Sequence, residues 1–277
     1  MKHLNEFITE KLRINKDTKA YTEKPTNRRE LHRIVEERLK ENPNANLNDI
    51  DVSELTTMEL VFSGLDPHNI DISMWDVSNC EDMIRMFEGC SNLTCDVSNW
   101  NVSNVKYMQG MFNGCTKFNS DLYNWNVSKV RNMEGMFQYC YEFTSDLSKW
   151  DVSNVVNLGF TFNKCHKFNS DLSKWNTSKV QFLMSTFKEC ENFNSDLSKW
   201  DVSNCVMMGR MFQDCEKFNS DLSEWNIKNV STVNHMFCGC KKFNSDLSKW
   251  KFKKIKDSRN MFDGCDSLKN IPKWYKE

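Results

Sequence analysis

The stretch WDVSNVVNLGFTFNKCHKF, residues 150–168, returns in recognisable form every 25 residues. Tryptophan stands at 75, 100, 125, 150, 175, 200, 225 and 250. Phenylalanine stands at 62, 87, 112, 137, 162, 187, 212, 237 and 262, and cysteine at 90, 115, 140, 165, 190, 215, 240 and 265. A fixed period between roughly 20 and 50 residues marks a stacked solenoid, in which each unit buries its apolar face against its neighbours. The unbroken register counts nine units over residues 51–275, with the consensus D-V-S-N-V-x-x-M-x-x-M-F-x-x-C-x-x-F-N-S-D-L-S-x-W.

Within a unit the periodicity changes. Val155, Leu158, Phe162 and Cys165 are three or four residues apart, which predicts one apolar face of a helix. Phe168 anchors the return, and Asn169-Ser170-Asp171 is turn chemistry. Around the unit boundary Trp150 and Val152, and again Trp175 and Thr177, alternate with polar residues, the period of a short strand. The expected fold is therefore α/β: a right-handed solenoid of nine units, with short parallel strands on one face and helices on the other.

The flanks are built differently. Leu4, Phe7, Ile8 and Leu12 lie at helical spacing, and residues 15–26 read as a polar linker, so residues 1–24 form an amphipathic helix and linker. That helix is either docked on the body or a separate tag. Residues 25–50 are expected to cap the solenoid. Asn27 followed by Glu30 has capping-box spacing, and Leu31, Ile34, Val35 and Leu39 stripe a helix from Arg28 to Lys40 that stops before Pro43. In the last unit, residues 251–275, Ser258 replaces the usual Met, Pro272 enters and the final Trp slips to 274, as a terminal cap would require.

Segments such as WDVSNVKYMQGMFNGCTKFNSDLYNW resemble the BspA-like leucine-rich repeats of bacterial surface proteins. Leu147, Trp150 and Val152 sit where that family's strand consensus sits, and M-F-x-x-C-x-x-F matches its helical side. The resemblance covers residues 51–275 and implies a curved right-handed solenoid used for adhesion or protein binding. The N-terminal LNEFITEKLRINKDTK also resembles a short leader found on varied proteins of gut bacteria and their phages.

Composition narrows the rest. The net charge of −1 gives no global case for nucleic acid or acidic lipid. No apolar run approaches the ~18 residues of a membrane span, and the N-terminus lacks the apolar core and cleavage site of a secretory signal. Eight of the twelve cysteines occupy one repeat position, and stacked side chains would point in parallel, poor geometry for disulfides. A ladder of buried reduced thiols is expected, with no metal and no cofactor; such thiols favour a cytoplasmic location, with a virion-associated one as the alternative.

No P-loop, G-x-G-x-x-G or H-E-x-x-H occurs, and the five histidines occupy unrelated positions, so an enzyme is not expected. The aligned carboxylates from Asp71 to Asp246 are expected to accept backbone N–H bonds in their own turns, with a calcium ladder as the alternative. Two surfaces stand out where equivalent positions differ. Val156, Phe160, Phe182, Met184, Val206 and Met207 replace polar residues in adjacent units and predict an apolar patch on the convex helical face, for a protein partner or a second copy of the chain. Lys149, Lys174, Lys199, Lys249, Lys251 and Lys253 line the strand face and would suit an acidic partner. The function expected is protein binding through an extended solenoid surface. The alternatives are a packaged or structural phage protein addressed by its N-terminal helix, and a glycan-binding adhesin.

Overall fold

The computed structural model describes residues 21–276, so the amphipathic stretch around Leu4 to Leu12 lies outside the described residues. The first element is helix α1, Arg28–Glu41. Its start is set by Asn27, whose side-chain oxygen accepts the N–H groups of Arg29 and Glu30, both at 3.1 Å. The reciprocal arm reaches one residue further back than the sequence suggested: the Glu30 carboxylate accepts from the Thr26 N–H at 2.8 Å and the Thr26 hydroxyl at 2.9 Å. Leu31, Ile34, Val35 and Leu39 are buried and join one continuous core with the repeats. The polar faces of α1 carry the pairs Arg33–Glu37 and Lys40–Glu36.

Beyond α1 the chain winds into a repeat solenoid. Parallel bridges run Thr57↔Asp82↔Tyr107↔Asn132↔Asn157↔Phe182↔Met207↔Thr232↔Asp257, every step being 25 residues. These contacts are isolated bridges, and among the described residues α1 is the one helix. The helix expected over Val155, Leu158, Phe162 and Cys165 is therefore absent, and the strand expected at Trp150 and Val152 carries no bridge. The pairing lies instead in the segment that looked helical.

The reason lies in where the N–H groups go. In a helix each N–H bonds to the carbonyl four residues back. Here Leu158, Phe160, Phe162 and Lys164 donate to Phe182, Met184, Thr186 and Lys188 of the following coil at 3.0, 2.9, 2.9 and 2.7 Å. Corners every third residue keep the side chains inward: Cys165 N–H bonds to Phe162 O at 2.9 Å, and Phe168 N–H to Cys165 O at 3.1 Å. A three-residue corner and a helical face produce the same apolar spacing.

Two left-handed residues per unit make the corners. Positive φ recurs at 25-residue intervals from Leu60 to Asn260 and from Gly64 to Gly264, and includes Phe160 at 58° and Lys164 at 65°. Glycine takes seven of these places. At Gly239 (φ 74°) the neighbouring coil adds a second constraint, because a Cβ would lie 2.3 Å from Asp214 Oδ1.

The core is a set of side-chain columns. Phe162 stacks on Phe137 and Phe187 at 5.8 and 5.6 Å, and packs against Phe168 of its own coil at 4.1 Å. Trp175 lies nearly parallel to Trp200 at 6.2 Å. Two columns also meet a polar need. Trp Nε1 donates to a buried carbonyl of the preceding coil, as Trp175 does to Leu147 O at 3.1 Å. Cys Sγ donates to another, as Cys165 does to Phe137 O at 3.0 Å. Each thiol is thus both a small apolar filler and a donor to a carbonyl that the coil's own corner uses only once.

All twelve cysteines are free; ten are buried, and Cys238 and Cys265 are half-buried. Burial pushes the thiols up, Cys80, Cys205 and Cys265 to about 12. Since the thiolate is the reactive form, the folded chain should be alkylated at neutral pH chiefly at Cys238, and the core column only after denaturation. Mass spectrometry of iodoacetamide-labelled protein measures this; rapid labelling of Cys165 or Cys190 in the native state would contradict the packing.

Candidate functional site

Two bands of surface differ from unit to unit. The first is the bridged band. Its outward positions are mostly polar in the early coils, as at Lys106, Arg131, Asn132 and Glu134, with Leu60, Ile84 and Tyr107 as exceptions, and turn apolar in three adjacent coils at Val156, Phe160, Phe182, Met184, Val206 and Met207. The structure brings these six into adjacent coils: Phe182 is bridged to both Asn157 and Met207, Phe160 N–H donates to Met184 O at 2.9 Å, and Val206 N–H to Gln181 O at 2.9 Å.

They do not form the convex helical patch expected, because no helix is there, and all six are half-buried. Neighbouring coils about one strand spacing apart shade each other's outward side chains. The large apolar residues that are exposed are others: Tyr107, earlier in the same band, and Tyr21, Met74, Tyr141, Ile255 and Ile271 outside it. Phe160 also lines the end of an open groove of about 420 Å³, together with Arg85, Glu88, Glu134 and Gln138.

The second band holds the lysines. Lys149, Lys174, Lys199, Lys249, Lys251 and Lys253 are all exposed. They line three successive open grooves of about 770, 490 and 480 Å³: Lys149 and Lys174 the first, Lys199 the second, and Lys249, Lys251 and Lys253 the third. Two have local partners, since Lys149 Nζ sits 4.1 Å above the Tyr123 ring and Lys249 pairs with Glu224 at 2.6 Å. Lys228 joins the third groove. In the sequence it is marked only by breaking the serine column that runs from Ser53 to Ser203.

The aspartate column lines the first two of these grooves, with Asp146 and Asp171 in the first and Asp196 and Asp221 in the second. Asp146, Asp171, Asp196 and Asp221 each accept the N–H of the serine two residues on, at 2.9 to 3.0 Å. Serine hydroxyls of the following coil add a second bond, Ser170 to Asp146 at 3.1 Å and Ser245 to Asp221 at 3.1 Å. The backbone N–H bond is the main reason these carboxyls titrate below their usual range. The same serines accept backbone N–H groups, Leu147 N–H to Ser170 Oγ at 2.8 Å. Carboxylate and hydroxyl are therefore engaged in the frame, and among the described residues no group of three His, Cys, Asp or Glu side chains is placed to hold a metal ion.

A repeat solenoid with an uninterrupted core and two variable outer bands is the class of protein this geometry defines. The chain belongs to the family described as Mycoplasma protein of unknown function, DUF285, whose model matches residues 30–144, 120–202 and 174–274. The comparison with curated proteins returned no match. A solved structure described as a TLR13–ssRNA13 complex is similar at 14% identity, with a TM-score of 0.27, over 88% of this chain and 37% of that one. The chain thus spans little more than a third of that structure's length, and a likeness at that score bears on neither the fold nor the function here.

Proposed function

We propose that the protein is a non-enzymatic binding module that holds a protein partner on its bridged band, around Phe160 and Phe182. The finer fold reading goes with it: a right-handed solenoid of nine 25-residue units of the BspA-like, leucine-rich-repeat kind, capped by residues 25–50 and by the last unit, with residues 1–24 as an added tag. The observation that supports it is the concentration of six apolar side chains in three adjacent coils of a band that is elsewhere mostly polar. Half-buried side chains of this kind gain burial when a partner covers them, at about 25 cal/mol per Å². Among the described residues no helix is long and apolar enough to cross a membrane.

The test is affinity capture from source cells with the intact chain and with Phe160→Glu/Phe182→Glu. The double variant should lose the partner while its melting temperature stays within a few degrees of the parent. A partner retained by the double variant would sink this reading and move attention to the lysine band.

A further inference from the structure

The groove that ends at Phe160 owes its shape to two missing side chains. The first corner of each unit is left-handed, and Leu60, Arg85, Phe160 and Ser185 adopt it at φ 61°, 51°, 58° and 54°. The corner therefore does not require glycine. Gly110 and Gly135 nevertheless occupy it, each at φ 60°, in the two coils between Arg85 and Phe160. The result is a trough of about 420 Å³, whose ends stand three coil spacings apart, roughly 14 Å. A Cβ on Gly135 would meet only the Gln138 side chain, with Oε1 at 3.3 Å, and one on Gly110 would meet Arg85 Cγ at 3.1 Å.

The walls of the trough carry acceptors. Gln109 Oε1 is buried and has no hydrogen-bond partner, a state that native structures avoid unless a further group completes it. Gln138 Oε1 reaches across the Gly135 floor. Glu134 is exposed; one of its oxygens accepts from Asn157 Nδ2 at 2.9 Å, and among the described residues no cation pairs with it. The neighbouring charges are matched, Glu59 by Arg28 at 3.3 Å and Glu88 by Arg85 at 3.7 Å. The trough thus holds one unmatched negative charge, two amide oxygens and, at its end, the half-buried ring of Phe160.

These groups fit one kind of side chain. Arginine presents a planar fork of five N–H donors, keeps its charge, and stacks on aromatic faces, whereas lysine offers a compact point charge. We propose that the trough between Arg85 and Phe160 takes an arginine side chain of the partner protein. Its guanidinium pairs with Glu134, donates to Gln109 Oε1 and Gln138 Oε1, and lies against the Phe160 ring. The proposal rests on the reading of the band as a protein-binding surface, and it names the residue that anchors the partner there.

The probe is the peptide Leu-Gly-Arg-Gly-Leu, blocked at both ends, with lysine and citrulline counterparts as controls. Each is titrated into the full ¹⁵N-labelled chain, and the side-chain amide signals of Gln109 and Gln138 are followed by NMR. The arginine peptide should move both signals to saturation. Citrulline, which has the same shape without the charge, should bind about tenfold more weakly, and so should the arginine peptide to Glu134→Gln. Gly135→Leu should abolish binding while its melting temperature stays within a few degrees of the parent, because Leu60 already fills the equivalent corner. If that variant does not fold, Glu134→Gln decides alone. The proposal is overturned if the arginine peptide moves neither signal, if the lysine or citrulline peptide binds equally well, or if Glu134→Gln or folded Gly135→Leu binds as the parent does. The titration needs no captured partner, so it decides the trough separately from the band. In the capture experiment, a partner held by Gly135→Leu but lost by Phe160→Glu/Phe182→Glu would overturn the arginine site and leave the band reading standing.

Discussion

Phe162→Ala should lower the unfolding free energy by about 4 kcal/mol, the middle of the range for emptying a buried phenylalanine site. Phe162 has no exposed surface and touches aromatic rings on every side: Phe137 at 5.8 Å, Phe187 at 5.6 Å, Phe168 at 4.1 Å and Trp175 at 6.3 Å. Its neighbours hang on a backbone pinned by bonds to the coils before and after, so they cannot collapse far into the space. In a stack held by nearest-neighbour contacts, the cavity weakens two interfaces at once. Denaturant unfolding followed by tryptophan fluorescence should therefore shift to lower denaturant and separate into two transitions, the coils on either side of the cavity no longer unfolding together. Phe162→Leu should recover most of the loss. A loss under about 1 kcal/mol for the alanine variant would mean that the columns are not the source of stability.

Trp175→Phe is the second large effect, and it tests chemistry where the first tests volume. The Leu147 carbonyl accepts from the Trp150 N–H at 3.0 Å and from Trp175 Nε1 at 3.1 Å, and Trp175 is buried. Phenylalanine leaves a void where the second indole ring was and removes the Nε1 donor. Roughly 1.5 kcal/mol for the void and about 1 kcal/mol for the lost second hydrogen bond, the carbonyl keeping the Trp150 N–H, give about 2.5 kcal/mol. Trp274 supplies the control: its Nε1 donates to Leu247 O at 2.8 Å, but it is only partly buried at the end of the stack. Trp274→Phe should cost about 1 kcal/mol by the same measurement, because water can replace the lost donor there. Equal losses at the two sites would show that the buried hydrogen bond contributes nothing beyond packing.

Much of this molecule was legible in its sequence. The columns of Trp, Phe and Cys identified the core, because an apolar residue held at one place in a repeating unit has to face the shared interior. Helix α1 was legible from Asn27, Glu30 and the Leu31–Ile34–Val35–Leu39 stripe, since capping and amphipathic spacing are local properties. The bonds made by Asp146 and its equivalents were legible for the same reason: a carboxylate reaching the N–H two residues on needs no tertiary contact. The signal for the corners was also present, in glycines recurring at Gly64, Gly89 and Gly114, but the filling of equivalent places by Tyr139, Lys164 and Glu189 concealed it.

The sequence by itself determined the 25-residue period, the residues that face inward, the capping helix and the local turns. Only the tertiary structure decided where the backbone N–H groups go. Apolar spacing of three and four residues is shared by a helix and by a coil with three-residue corners, and the choice rests on whether bonds to the next coil replace bonds within the segment. That choice placed the pairing at Asn157, Phe182 and Met207 instead of at Trp150 and Val152, and it left the Phe160 band half-buried. It gave the thiols and indoles carbonyls to satisfy. It also gave the carbonyls of the first coil their partners, Arg28 and His32 of α1 bonding Glu59 O and Val61 O where the later coils bond one another.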